Sequence, residues 1–337
     1  MLRNRLPLLI TGVAGVAGNN AFHYFLGKYP GQVVGIRPRQ TWRLVGAGLV
    51  PQDAEDAHGM RSLFERFGFR GVLDCVGNCA LKSCELDPAM AHTVNVRSSI
   101  VLAGLVRRHD ARLVHLSSDL VFSGTRAGSH VESDPTDPVT IYGKTMVQSE
   151  GVLEAQTPSA AVLRISLPMG PSFNRHAGAI DWIQARFRSN RPATLYFDEV
   201  RSCTYCDDLN GVFEKFLASR AAGVYHCGGP LPMTLYRIAQ VINRVGDYRA
   251  ELLKGCPRIE AGPMPPRAGD VTMNSGKLSA ELGGHPFKPW PLGADLAPTH
   301  RGWHFERPDG ERRSLEEVAR RLYRYPLAAK SCTELLT

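Results

Sequence analysis

The 337-residue sequence lacks the features that mark a membrane-spanning, nucleic-acid-binding or disulfide-rich protein. None of its apolar runs approaches the roughly 18 uninterrupted residues of a membrane span, and the run in "MLRNRLPLLITG" is too short for a secretory signal. The basic residues are dispersed, despite a formal net charge of +8, and form no stripe interleaved with aromatic residues. We therefore expect a cytoplasmic protein that attracts small anions and has no membrane or nucleic-acid partner.

Paired cysteine spacing is also absent along most of the chain. Eight cysteines in a sequence of this length fit reduced thiols in the cytosol. Cys203 and Cys206 form a C-x-x-C, but no second pair and no histidines at zinc-finger spacing accompany it, so we expect no metal. The chain contains no internal repeat and no low-complexity tract. Its 43% apolar and 21% charged residues are those of a globular protein with a sizeable core.

Short apolar runs alternate with amphipathic segments through the first half of the chain. The runs have the length and the flanking residues of buried strands: Leu8–Ile10, Val33–Ile36, Gly71–Val76, Arg112–Leu116 and Ala161–Ile165. The amphipathic segments between them predict helices: Asn20–Lys28, Met60–Phe67, Arg97–His109 and Tyr142–Ala155. This alternation predicts an α/β fold, a Rossmann-type doubly wound parallel sheet with helices on both faces.

The pattern changes after about residue 168. We expect residues 1–168 to form the sheet domain, with segments near 193–227 returning to it, and residues 169–290 to form mainly a smaller C-terminal lobe. That lobe would close a cleft over the carboxyl ends of the strands, where open sheets of this kind bind ligands. The tail, residues 291–337, has one predicted helix, Ser314–Arg324, which opens with a capping box.

A glycine-rich turn follows the first predicted strand. The stretch "TGVAGVAG" places Gly12, Gly15 and Gly18 between a strand and a helix. Small residues let the backbone approach a pyrophosphate, and the amides at the helix start, including those of Val16 and Ala17, can hold its charge. The strand before it and the helix after it form the context that supports this motif, so we predict an NAD(P)-binding domain over residues 1–168.

The end of the second strand bears on the choice of cofactor. Arg37 stands where an acidic residue would hydrogen-bond the adenosine ribose, and arginine suits a 2′-phosphate, so we expect NADPH in preference to NADH. A solvated surface arginine is the alternative interpretation. Asp53 and Asp56 follow a third predicted strand, where they would either contact the adenine or cap the next helix.

Several later segments resemble one enzyme family. They are "VLDCVGNCALKSCELDPAMAHTVNVRSSIVLAG", "RLVHLSSDLVFSG", "VESDPTDPVTIYGKTMVQSE", "RSCTYCDDL" and "GDVTMNSGKLSAELG". In this order they resemble the dTDP-4-dehydrorhamnose reductases, which are extended short-chain dehydrogenase/reductases. The G-x-x-G-x-x-G spacing of the glycine turn is the form usual in that superfamily. The resemblance runs from the first strand to about residue 290 and implies NAD(P)H-dependent reduction of a keto group on a nucleotide-linked sugar.

The resemblance also implies roles for single residues. Tyr142 would donate a proton, Ser118 would orient the substrate carbonyl, and the substrate would contact Ser118, Asp119 and Tyr142. With the residues argued above, the predicted cofactor contacts are Gly12, Gly15, Val16, Ala17, Gly18, Arg37, Asp53, Cys75, Val76, Gly77, Ser117, Tyr142 and Leu167. Asn95 matches a helix asparagine common in the superfamily. A strand-end cap for Ser118 and a helix-surface aromatic for Tyr142 are the alternatives.

The sequence departs from the family at the residue four positions after Tyr142. Met146 replaces the lysine of Y-x-x-x-K, which would tune the tyrosine and hold the nicotinamide ribose. Lys144 lies about 200° away around the helix and cannot take its place. Asp74 stands where the family usually has an asparagine, Ser123 where an acid is typical, and Cys203 where a proline is typical.

Two functions from different classes therefore stay open. The first is a nucleotide-sugar ketoreductase of impaired or altered activity. The second is a non-catalytic NAD(P)-binding subunit, as in the methionine adenosyltransferase β-subunit, which resembles the same reductases. An epimerase or dehydratase would need more acid–base residues, for which Asp119 and Glu132 are the nearby candidates. The sequence leaves the oligomeric state open, with a homodimer as one option.

Overall fold

The computed structural model describes residues 2–174, 178–307 and 314–324. Its strands are β1 (Leu8–Ile10), β2 (Val33–Arg37), β3 (Leu49–Pro51), β4 (Gly71–Asp74), β5 (Arg112–Ser118), β6 (Ala161–Ile165), β7 (Pro168–Met169), β8 (Ala193–Tyr196), β9 (Val200–Ser202), β10 (Thr204–Tyr205), β11 (Gly223–Cys227), β12 (Pro232–Thr234) and β13 (Leu253–Cys256). Its helices are α1 (Val16–Lys28), α2 (Ala57–Phe67), α3 (Leu81–Leu86), α4 (Pro88–His92), α5 (Ser98–Arg108), α6 (Ile141–Gln156), α7 (Ala179–Arg188), α8 (Cys206–Ala218), α9 (Leu235–Val245), α10 (Gly276–Leu282) and α11 (Leu315–Tyr323).

A seven-stranded parallel sheet forms the centre of the molecule. Its strand order is β11-β6-β5-β4-β1-β2-β3, so the chain winds outward from β1 to β3 and then returns to start again at β4. The order reverses between β1 and β4, and ligands of open α/β sheets bind at such a switch point. The predicted doubly wound parallel sheet is confirmed.

Alternating side chains of β1 supply the two hydrophobic layers of the sheet. Leu8 and Ile10 pack with residues of α1 and α8 on one face, whereas Leu9 packs with residues of α2, α5 and α6 on the other. All three are completely buried. The nearly continuous apolar composition of the strands follows from this burial on both faces.

A second core lies beyond the sheet and contains residues of α7, α9 and α11 around Trp290. Three short two-stranded sheets, β7 with β10, β9 with β12 and β8 with β13, accompany it. The tail helix α11 begins after Ser314, whose side chain forms the predicted capping box with Glu317. Residues 308–313 and 325–337 of the predicted tail lie outside the described residues.

The differences from the sequence prediction include the end of β4 and the two short helices that follow it. The predicted strand Gly71–Val76 ends at Asp74, because the Asp74 side chain turns back to accept a hydrogen bond from the Val76 amide at 3.2 Å. The sequence prediction also missed α3 and α4, although Asp87 caps α4 and Pro88 occupies its first turn. The helical run Pro88–Arg108 has the length and apolar content of a membrane span, but half of its most apolar window is buried inside the protein.

Candidate active site

The glycine turn lies at the switch point between β1 and β4. Gly12 has φ +62°, and a side chain there would overlap the Cys75 carbonyl at the end of β4. A side chain at Gly18 would overlap the Gly12 carbonyl, so both positions require glycine. Gly15 is the N-cap of α1, and no side chain in the described part of the protein caps this helix. The amides of Val16 and Ala17, in its first turn, therefore have no side-chain acceptor.

The segment after β4 lies beside the glycine turn. The Cys75 amide donates to Thr11 Oγ1 at 3.0 Å, which joins this segment to the residue before Gly12. Val76 is partly exposed and Gly77 is exposed. Further along, the Asn78 amide donates to Asn95 Oδ1 at 2.7 Å, and Asn95 Nδ2 donates to Thr145 Oγ1 of α6 at 2.8 Å. The structure thus brings together the two loops that the sequence predicts to hold the cofactor.

The predicted adenosine end is built from β2 and the loop after β3. Arg37 is buried, and its guanidinium donates to the carbonyls of Pro38 and Arg39 at 3.1 and 3.3 Å. Arg39 is the more exposed arginine and contacts Asp56 at 2.7 Å and Asp53 at 3.8 Å. Asp56 caps α2, and the hydrogen bond from the Gly59 amide, with others, lowers its pKa to about 2. Of the two functions predicted for Asp56, the structure shows the cap.

Ser118 and Tyr142 meet beside the carboxyl end of β5. Ser118 is the last residue of β5, and its hydroxyl accepts from the Leu120 amide at 3.1 Å, the strand-end cap that the sequence offered as an alternative. Tyr142 lies in the first turn of α6 and is 9% exposed. Burial raises the pKa of Tyr142 above its ordinary value, and a hydrogen bond with Ser118 opposes this shift without cancelling it. The phenol is therefore held in its protonated form.

Asp119 is bound by side chains of the protein itself. Its carboxylate accepts from Ser166 Oγ at 2.6 Å, from Arg201 at 2.7 Å and from Ser118 Oγ at 3.1 Å. Arg201 also pairs with Glu199 at 2.9 Å, and all of these charged groups are buried. The predicted contact between Asp119 and the substrate stays a prediction.

Arg201 was assigned no role from the sequence, although its neighbouring residues carry a signal. Glu199 and Arg201 are two residues apart at a short strand, so their side chains lie on the same face. Opposite charges at that spacing, directly before and at the start of the matching segment "RSCTYCDDL", indicate an ion pair. The sequence did not show that Arg201 also pairs with Asp119, because the two residues are far apart in the chain.

Two other predicted cofactor residues lie at the ends of neighbouring strands. Ser117 of β5 donates its hydroxyl to Glu150 Oε1 at 2.5 Å, and Glu150 also pairs with Arg164 of β6 at 2.7 Å. Leu167 follows β6, is partly buried, and packs against the second core. The Ser117 hydroxyl therefore donates its hydrogen bond to a carboxylate that is already in a buried ion pair. Leu167 lies between β6 and the second core.

Met146 is 1% exposed and packs in the same cluster as Tyr142, Leu120 and Phe122. It lies one helical turn after Tyr142, where the family's lysine would stand. Lys144 is exposed to solvent, as its position around the helix predicts. Position 146 therefore contributes apolar packing and no charge to the candidate site.

Relatives of this chain include both an enzyme and a subunit of an enzyme. The chain is 27% identical over 244 residues to a dTDP-4-dehydrorhamnose reductase of Aggregatibacter actinomycetemcomitans, covering 70% of this chain and 77% of the relative. It is also 27% identical over 245 residues to methionine adenosyltransferase 2 subunit beta of Xenopus laevis, covering 68% of this chain and 69% of the relative. The first of these relatives is thus named for a reductase and the second for a subunit.

Solved structures share the fold. A dTDP-4-dehydrorhamnose reductase from Clostridium acetobutylicum superposes with a TM-score of 0.72 at 21% identity, covering 84% of this chain and 95% of that one. The same enzyme from Bacillus anthracis, solved in complex with NADP, has a TM-score of 0.69 at 16% identity, covering 84% of this chain and 93% of that one. The family of the RmlD substrate binding domain matches residues 6–295, which is most of the chain. The protein therefore belongs to the RmlD substrate binding domain family.

Proposed function

We propose that this protein reduces a keto group on a nucleotide-linked sugar with NADPH or NADH as the reductant. The observation that carries the proposal is the meeting of Tyr142 and Ser118 at the carboxyl end of β5, on the same edge of the sheet as the glycine turn. A hydroxyl pair at that edge can bind and protonate a carbonyl oxygen. The reductase relatives and the structure solved with NADP support the same assignment.

The residues at the switch point fit a dinucleotide. Gly12 and Gly18 let the backbone of the turn pack closely, and the first amides of α1 face no side-chain cap in the described chain. These groups would hold the pyrophosphate, and Cys75, Val76 and Gly77 would lie along the ribose. Arg37 and Arg39 supply positive charge for a 2′-phosphate, which favours NADPH. The bound nicotinamide would supply a hydride.

The protein's own residues would handle the oxygen and the proton. Ser118 would hold the carbonyl oxygen of the substrate, and Tyr142 would donate its phenolic proton as negative charge develops on that oxygen. Because burial raises the pKa of Tyr142, the phenol is present as the acid that reduction requires. The reverse reaction needs a phenolate, which the same burial disfavours. The site is therefore suited to reduction more than to oxidation.

The test is oxidation of NADPH in the presence of a 4-keto nucleotide sugar. We expect turnover by the wild-type protein, and a loss of about 10²–10⁴-fold in kcat for Tyr142→Phe, since the general acid is removed. Tyr248→Phe, which removes a phenol near the second core, is the matched control and should retain wild-type activity. Binding of NADPH without turnover on any keto nucleotide sugar would contradict the proposed reaction.

A second candidate function rests on Met146. An uncharged, buried residue at this position neither tunes the tyrosine nor binds a ribose hydroxyl. A protein that keeps the nucleotide-binding fold and acts as a regulatory subunit would tolerate this change, and methionine adenosyltransferase 2 subunit beta is a relative of that kind. This candidate would be favoured if the wild type binds NADPH tightly without turnover and Tyr142→Phe binds NADPH with the same affinity.

The remaining assignments extend this proposal. We propose that residues 1–168 bind the dinucleotide and that residues 169–290 mainly bind the sugar nucleotide. Within the segment near 193–227, α8 and β11 lie at the central sheet, whereas β8 pairs with β13 beside the second core. We also propose a cytoplasmic location and small-molecule partners. A homodimer stays an option, which the molecular mass in solution would decide.

A further inference from the structure

A continuous chain of hydrogen bonds runs beneath the candidate active site. Thr11 Oγ1 donates to Asp74 Oδ1 at 2.5 Å, and Asp74 Oδ2 lies 2.7 Å from His115 Nδ1. His115 Nε2 lies 3.1 Å from Ser149 Oγ, which is 2.6 Å from Ser99 Oγ. The parallel register of β4 and β5 places Asp74 and His115 side by side. We call these five residues the buried relay.

Ser149, His115 and Asp74 of the buried relay are linked in the same order as a hydrolytic triad, but no substrate can reach them from solvent. Ser149 is 0% exposed, and His115 and Asp74 are each 1% exposed. A nucleophile must reach its substrate, and no substrate can reach a serine that is completely buried. The chain of hydrogen bonds therefore acts within the protein.

One end of the buried relay holds both cofactor loops. Asp74 Oδ1 accepts from Thr11 and also from the Val76 amide at 3.2 Å. Thr11 Oγ1 in turn accepts from the Cys75 amide. A single carboxylate thus fixes the residue before Gly12 and the segment that begins at Cys75. These are the two backbone segments whose close approach leaves no room for a side chain at Gly12.

The other end of the buried relay reaches the helix that carries the tyrosine. Ser149 lies on α6, about two helical turns after Tyr142. Ser99 lies on α5, which packs beside α6. His115 Nδ1 faces Asp74 Oδ2 and its Nε2 faces Ser149 Oγ, so one imidazole ring bridges the carboxylate and the hydroxyl on α6. The cofactor loops and α6 are therefore tied together by groups with complementary roles.

We propose that Asp74 is a positioning residue that sets the two cofactor loops in the geometry that binds the dinucleotide. This inference rests on the proposed function. Backbone groups that hold a pyrophosphate and a ribose must be fixed before binding, since ordering them afterwards reduces affinity. An asparagine, the residue usual in the family at this position, keeps the oxygen that serves Thr11 and Val76. Its amide would donate to His115 Nδ1, which accepts in one of the two neutral imidazole tautomers.

The experiment compares NADPH dissociation constants, measured by calorimetry, with thermal stabilities of the ligand-free proteins. Asp74→Ala should raise the Kd about tenfold or more, because the hydrogen bonds that fix both loops are lost. Asp74→Asn should bind within about threefold of the wild type, because the shared oxygen remains. Ser149→Ala is the matched control, since it breaks the buried relay at its far end. It should lower the melting temperature and leave the Kd within about threefold.

Thr11→Val provides a second route if Asp74→Ala does not fold. It removes the hydroxyl between Asp74 and the Cys75 amide with little change in volume, and should also weaken NADPH binding. Unchanged affinity in folded Asp74→Ala or Thr11→Val would overturn this proposal and leave the proposed function standing. Equal weakening by Ser149→Ala would also overturn it, because the effect would then be general loss of packing. Failure of the wild type to bind NADPH or NADH would overturn the proposed function and this proposal together.

Discussion

Met146 separates the two candidate functions at the scale of a single residue. It fills a buried position one turn after Tyr142, in a cluster that also contains Leu120 and Phe122. A positive charge about 4 Å from the phenol would be worth on the order of 4 kcal/mol at an effective dielectric of about 20, or about three pKa units. No charge at position 146 offsets the burial that raises the pKa of Tyr142.

Met146→Lys should therefore increase reductase activity. We expect kcat/KM with NADPH and a keto nucleotide sugar to rise about tenfold or more. This increase is smaller than the full electrostatic term would give, because burying the ammonium group of the lysine opposes that term. Steady-state kinetics measure the change, and a thermal melt shows whether the variant is folded. Met146→Leu, a volume-conserving control, should cost less than about 1.5 kcal/mol of stability and leave activity unchanged. A folded Met146→Lys protein that binds NADPH without turnover would favour the regulatory function.

The raised pKa of Tyr142 has its own consequence for pH dependence. A group whose pKa is raised holds its proton at every pH below that value, and the protonated phenol is the active form in reduction. Reductase activity should therefore show no basic limb between about pH 7 and 9. Met146→Lys should introduce a decline at the high end of this range, because the ammonium favours the phenolate. A basic limb in the wild type that disappears in Tyr142→Phe would contradict the assignment of a raised pKa.

Single residues differ in how far the sequence reveals them. The positions of Tyr142 and Ser118 in the fold could be predicted because each lies in a motif with a fixed place, while their catalytic roles stay predictions. His115 and Ser149 could not, since a polar residue in a strand and another in a helix have no visible partner. Their contact depends on the register between β4 and β5 and on the packing of α6.

Helix α6 carries both Tyr142 and Met146, so its first turn determines the geometry of the site. Thr140 is completely buried, and its hydroxyl accepts from the Gly143 amide at 2.9 Å, which caps the helix. Serine and alanine at position 140 both lack the threonine methyl and differ only in the capping oxygen. Thr140→Ala should be about 1 kcal/mol less stable than Thr140→Ser. Urea unfolding of the two variants measures this difference, and equal stabilities would show that the cap contributes nothing.

Elements with strong periodic signals could be predicted, whereas their ends depended on side chains. The strands β1 and β6 have the predicted bounds because turn residues or polar residues flank an apolar run. β4 is shorter than predicted because Asp74 turns back to bind the Val76 amide, and apolar composition continues past that point. The short helices α3 and α4 have too few residues to show a period, although the Asp-Pro pair at positions 87 and 88 is a start signal.

At the scale of the whole molecule, the tail belongs to the second core. The family match ends at residue 295, yet α11 beyond it contributes Val318 and Leu322 to that core. Trp290 Nε1 donates to the Leu322 carbonyl at 3.0 Å, and Arg324 pairs with Asp208 of α8 at 2.7 Å. The sequence predicted the helix from its capping box but did not show where it packs, because a short amphipathic helix fits many surfaces.

Leu322→Ala should consequently destabilise the entire protein. Leu322 is 0% exposed, and truncation of a fully buried leucine costs about 2–5 kcal/mol through lost burial and the cavity left behind. Arg320→Ala is the matched control on the same helix, because its side chain is 61% exposed and pairs only with Glu316 across one turn among the described ion pairs. It should change stability by about 0.5 kcal/mol or less.

Chemical denaturation followed by tryptophan fluorescence measures the difference in stability between the two variants. Trp290 is buried in the second core, and Trp303 is buried in the tail segment that packs on α9. Destabilising the second core should therefore lower the denaturation midpoint measured by tryptophan fluorescence. A helix docked only loosely would give Leu322→Ala and Arg320→Ala the same midpoint, contradicting the packing of α11. If the midpoint falls in Leu322→Ala and NADPH affinity is unchanged, the tail stabilises the second core without shaping the dinucleotide site at the carboxyl ends of β1 and β4.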